Sequence, residues 1–133
     1  MRTIAGARTA LHSPYGVTVG AGGLLYAVNA LADGSSSVTV YAARSTGNTS
    51  PLHAIAGPNK GMDSASGVAV DQGGTAFVSD HGDRSKLGKV LAFAAGATFP
   101  LAPVRTLSGK SLAAPFGIGL ATSGAILVVN HRQ

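Results

Sequence analysis

Seven side chains in this sequence are of types that could do chemistry together: Asn29, Asp80, His81, Asp83, Arg84, Asn130 and His131. Asn29, Asp80 and Asn130 recur at spacings of 51 and 50 residues, each closing a short apolar run. Asp80-His81 and Asn130-His131 set an imidazole beside two of them. A carboxylate next to an imidazole can form a general base or part of a metal site. Neighbours in an extended chain point to opposite faces, however, so Asp80 and His81 need not act on one atom. Asp and Asn also accept hydrogen bonds from turn backbone, and that role accounts for all three positions without a ligand.

The remaining motifs carry less. His12 and His53 stand alone, cysteine is absent, and no second ligand lies at a useful spacing, so there is no zinc motif. Asp71-Gln72-Gly73-Gly74 opens like an acidic calcium loop but lacks the further carboxylates such a site needs. Gly22-Gly23 and Gly73-Gly74 precede no helix that could hold a phosphate, and no Gly-x-Ser-x-Gly elbow is present. Asn48-Thr49-Ser50 matches the glycosylation triplet without a secretory context. The residues therefore lead us to expect no catalytic residue, no metal and no cofactor.

The elements that must position these side chains are repeated hairpins. Ser66–Asp80 reads as two short apolar strands about the turn Asp71-Gln72-Gly73-Gly74, a hairpin signal. Tyr15–Asn29 and Phe116–Asn130 repeat it. Gly16 and Gly67 lie 51 positions apart and Gly117 follows after another 50. Ile4-Ala5-Gly6, Ile55-Ala56-Gly57 and Leu107-Ser108-Gly109 keep nearly the same period, as do Val38–Tyr41 and Val90–Phe93. Several landmarks on one period outweigh any single motif.

Each unit reads as four strands, in the second unit about Gly67–Asp71, Thr75–Ser79, Lys89–Ala94 and Val104–Ser108. Within the third of these, Val90 and Ala92 should face one way and Leu91 and Phe93 the other. No window carries a helical stripe with caps, so almost no helix is expected. The predicted organisation is one domain over residues 1–133. It has a lone outer strand within 1–6 (Arg2–Ala5), units at about 7–57 and 58–109, and a partial unit at 110–133. That gives all-β architecture with about two and a half four-stranded antiparallel blades, and a period near 50 residues suits an incomplete β-propeller. A two-sheet sandwich is the alternative.

Composition agrees. At 45% hydrophobic but only 5% aromatic and 11% charged, the core must be built from Val, Ile, Leu and Ala. Nineteen glycines and six prolines, spread along the chain, fit frequent turns rather than a disordered tract. No apolar run is long enough for a membrane helix, and Met1–Gly16 has no signal-peptide pattern, so no membrane association is expected. The net charge is +5 with no Glu, which permits nucleic acid or an acidic glycan without selecting either.

The stretches GVAVDQGGTAFVSD, KVLAF and PVRTLSG resemble an NHL-type β-propeller blade. The first unit departs from that pattern at Gly20, where the family has Asp, and the third at Ala121 and at Leu127, where it has an aromatic. The resemblance implies a propeller fold, with ligand sites on the face formed by the fourth-to-first and second-to-third connections. These are Ala7–Ser13, Pro58–Ser66, Lys110–Ala114, Ala30–Ser37 and His81–Gly88. It does not select a function, because such blades occur in sugar-binding and RNA-binding proteins, sensors, lyases and lactonases.

The function expected is non-catalytic binding of a protein or glycan at that loop face, with self-association of copies completing a ring. A metal-dependent propeller enzyme of lyase or lactonase type is a second class, and would need three or more convergent ligands. RNA binding is a third, resting on Arg84, Lys86 and Lys89, with few aromatics beyond Tyr15 and Phe116 free for stacking.

Overall fold

A computed structural model describes residues 1–55, 61–82, 87–98 and 102–131. Alternating small and branched apolar residues on either side of glycine-containing turns give three antiparallel hairpins: β1 (Pro14–Val19) with β2 (Leu25–Ala30), β5 (Ala65–Val70) with β6 (Ala76–Asp80), and β9 (Pro115–Leu120) with β10 (Ile126–Asn130). The middle turn shows the local cause. The Asp71 amide donates to the Thr75 carbonyl, Asp71 Oδ1 accepts from the Thr75 amide at 2.8 Å, and Gly74 closes the turn at φ +85°. A side chain would strain that left-handed position.

The first hairpin continues into β3 (Ser36–Tyr41) and β4 (His53–Ile55), and the second into β7 (Lys89–Phe93) and β8 (Arg105–Ser108). The result is two four-stranded sheets, β1-β2-β3-β4 and β5-β6-β7-β8, and a two-stranded sheet β9-β10, all antiparallel and paired in chain order. The only helical element among the described residues is a 3-10 turn at Ala21–Gly23. The all-β expectation holds, and the strands of the second unit fall within two residues of their expected bounds.

In the single chain Arg2–Ala5, expected as a lone outer strand, makes one parallel bridge, Ile4 to Gly47, held by Ala5 and Gly47 amide hydrogen bonds. A strand needs a ladder beside it, and no sheet of this chain supplies one there among the described residues.

The sheets stack in chain order. β1 and β2 lie against β5, and β5 and β6 lie against β9. Tyr26, Val28, Val68, Val78, Leu91 and Phe93 fill the joint between the first two sheets. Phe77, Val90 and Ala92 fill the second joint with Ile118, Leu120, Ile126 and Val128. The two-residue period of β7 thus sends Leu91 and Phe93 one way and Val90 and Ala92 the other, as expected. A Cβ at Gly20 would meet Tyr26 Cε2 at 2.8 Å and Val70 Cγ1 at 3.1 Å. A side chain at this position would therefore require Tyr26 or Val70 to shift.

All three hairpins carry a register shift at the same place. Pairing passes from Pro14 to Gly16, from Ala65 to Gly67 and from Pro115 to Gly117, skipping Tyr15, Ser66 and Phe116. A bulge of this kind turns one residue's backbone out of the ladder.

Candidate functional site

Asn29, one residue before the end of β2, and Asp80 and Asn130, the last residues of β6 and β10, lie opposite the residues that open β1, β5 and β9. Each polar side chain reaches the connection leading into its own sheet. Asn29, fully buried, accepts from the His12 amide at 3.1 Å and donates to the Ala27 carbonyl and Thr39 Oγ1. Asp80 is also 0% exposed. Its Oδ1 accepts from the amides of Ser64 and Gly82, and its Oδ2 from that of Asp63 at 3.0 Å. Lys89, opposite it on β7, brings Nζ to 3.7 Å from Oδ2. Asn130 is exposed and donates to the Ser111 carbonyl at 2.8 Å.

This arrangement anchors loops. A buried carboxylate whose two oxygens accept from three amides, with an ammonium group nearby, is fixed in place and its polar atoms are satisfied. The histidines follow the same backbone plan. The His81 amide donates to the Ser64 carbonyl, and the His131 amide to that of Ala114. The exposed His131 ring lies tilted against Phe116, with centroids 6.2 Å apart. Asp83 and Arg84 lie outside the described residues, as does Lys86. Of the basic cluster Arg84, Lys86 and Lys89, the structure therefore places Lys89 alone, beside Asp80. Among the described residues no group of three or more His, Cys, Asp or Glu could hold a metal ion, and no helix is long and apolar enough to cross a membrane.

Around these anchors the connections interlock between sheets. The Ser36 amide donates to the Met62 carbonyl at 2.9 Å, and Ser36 Oγ accepts from the Ala65 amide. Tyr41 donates its hydroxyl to the Thr9 carbonyl at 2.6 Å, clamping the first connection onto β3, and burial pushes its phenol above the usual pKa. The Ser35 hydroxyl and amide hold the exposed Asp33 carboxyl below its ordinary value.

Two features escaped sequence reasoning. The first is an apolar groove of about 720 Å³ on the outer face of the first sheet, lined by Leu11, Tyr15, Val17, Val19, Leu25 and Ala27 among others. The second is the use of Gly16 and Gly67 as contact points between sheets. The Phe116 carbonyl accepts from Ser79 Oγ at 2.7 Å and Ser66 Oγ at 3.0 Å, directly over Gly67. The 51-residue spacing of Gly16 and Gly67 is the available signal, and by itself it marks only a repeat. No family model matches the chain, and no curated protein matches it in sequence.

Proposed function

We propose that this chain is a non-catalytic interaction module of incomplete, NHL-like β-propeller type. It binds a protein or glycan at its loop face and associates with further copies through its end sheets. One observation carries the reading: the apolar pattern that fills the joints between sheets is left in water at both ends of the stack. Tyr15, Val17 and Val19 are exposed on the first sheet, with Val17 at 74%, and Leu127 and Val129 on the last hairpin. Contiguous apolar sheet surface in water marks an interaction site. The buried anchors Asn29 and Asp80 favour a rigid frame presenting loops, the usual platform for binding, over a reactive centre. Light scattering from nanomolar to micromolar concentration tests this, with a mass that rises above one chain expected. A single-chain mass throughout overturns the reading.

A further inference from the structure

The two joints inside the chain are built by one rule. At the first, Ser66, the residue skipped by the β5 bulge, turns its carbonyl onto Gly16, where a Cβ would stand 2.6 Å from that oxygen. At the second, Phe116, skipped by the β9 bulge, sets its carbonyl over Gly67, where a Cβ would stand 2.8 Å away. No side chain larger than hydrogen fits under either carbonyl without a shift.

The third member of each set stands without its counterpart. Tyr15 is the residue skipped in β1, with no sheet before it. Gly117 is the third glycine; among the described residues a Cβ there would meet only Val129 of its own sheet, at an ordinary 3.6 Å. The apolar faces follow the same order. Val68, Val70, Ala76 and Val78 press on the first sheet, and Ile118, Leu120, Ile126 and Val128 on the second. Their equivalents Val17, Val19, Leu25 and Ala27 line the open groove. Leu11 borders that groove at the repeat position of Met62 and Leu112, which plug the first and second joints. At the far end, the exposed Leu127 and Val129 sit at the repeat positions of Phe77 and Ser79, both of which are buried against the last hairpin.

The geometry points to a head-to-tail joint between two copies of this chain. The groove of one receives the Leu127 and Val129 face of the other, with the Tyr15 carbonyl seated over Gly117. The inference rests on the interaction-module reading and names the partner, the two unlike surfaces and their register. Such a contact is heterologous: it closes into a ring where the rotation allows and otherwise runs on as a row.

Light scattering on three variants, each checked for fold by thermal melting, tests it. Val17→Asp should abolish association by blocking the groove, and Leu127→Asp should do so by blocking the opposite face. Mixed together, they should form a one-to-one pair, because one intact joint remains. Gly117→Ala should melt as the parent does, since the single chain has room for the methyl group, yet associate at least tenfold more weakly. Should the parent be a single chain at every concentration, the interaction-module reading itself falls. Should the parent associate while only one of the two Asp variants is impaired, or while the mixture stays monomeric, the head-to-tail joint alone is overturned. Association of Gly117→Ala at parental strength overturns the register. Should an Asp variant fail to fold, Gly117→Ala still decides.

Discussion

The second sheet and the two that flank it are written in nearly the same pattern but have different surroundings. Val78 and Phe77 on β6 point to opposite sides, and each meets a neighbouring sheet. Leu127, the counterpart of Phe77 on β10, is exposed, and so is Val17, the counterpart of Val68 on β1. Whether a branched residue in this repeat is core or surface therefore depends on whether another sheet lies against its face. The polar anchors show the same gradient. Asn29 and Asp80 are sealed, while Asn130, at the matching place, is exposed.

That gradient can be broken at its strongest point first. Phe93→Ala, which removes a large side chain from the first joint, should cost about 3–5 kcal/mol in urea unfolding, whereas Leu127→Ala in the single chain should cost less than about 0.5. Asp80→Ala should cost about 3–5 kcal/mol, because it strands three amides and brings Lys89 to an emptied pocket; Asn130→Ala at the open end should stay within about 0.5. Gly67→Ala, which sets a methyl group against the Phe116 carbonyl, should cost about 1–3 kcal/mol by melting.

The smallest effect concerns pH. Because the Tyr41 phenol has a folded-state pKa raised above 10.0, its contribution to stability is fully present below that pH and fades as pH rises through the folded value. Melts taken from about pH 9 to about pH 12 should show this loss, and Tyr41→Phe, which installs the residue found at the equivalent Phe93, should lessen it.

Much of this layout was legible in the residues. Turn chemistry at Asp71–Gly74 and the two-residue alternation of Val90–Phe93 are local properties, and both dictate structure within a few positions. The anchoring role of Asn29 and Asp80 followed from what their side chains do beside turns. The bulge carbonyls over Gly16 and Gly67 were not legible, since a close approach between sheets leaves only an unexplained glycine in the sequence. The likeness of Ile4-Ala5 to Ile55 and Leu107 describes a strand's composition and not the ladder it needs, and within the single chain this stretch makes one bridge. The apolar groove on the first sheet was hidden for a related reason: Val17 and Val19 read as core residues, and nothing local tells that their covering layer is missing.

The order in which strands pair has a consequence for how the chain comes apart. Each sheet is assembled from strands consecutive in sequence, and each leans on the sheet next along the chain. Cooperativity in such a row passes between nearest neighbours, so the two-stranded end can fray while the middle sheet stays shut. Amide protons of β6 should then outlast those of β10 in deuterium, although the two strands hold the same place in the repeat.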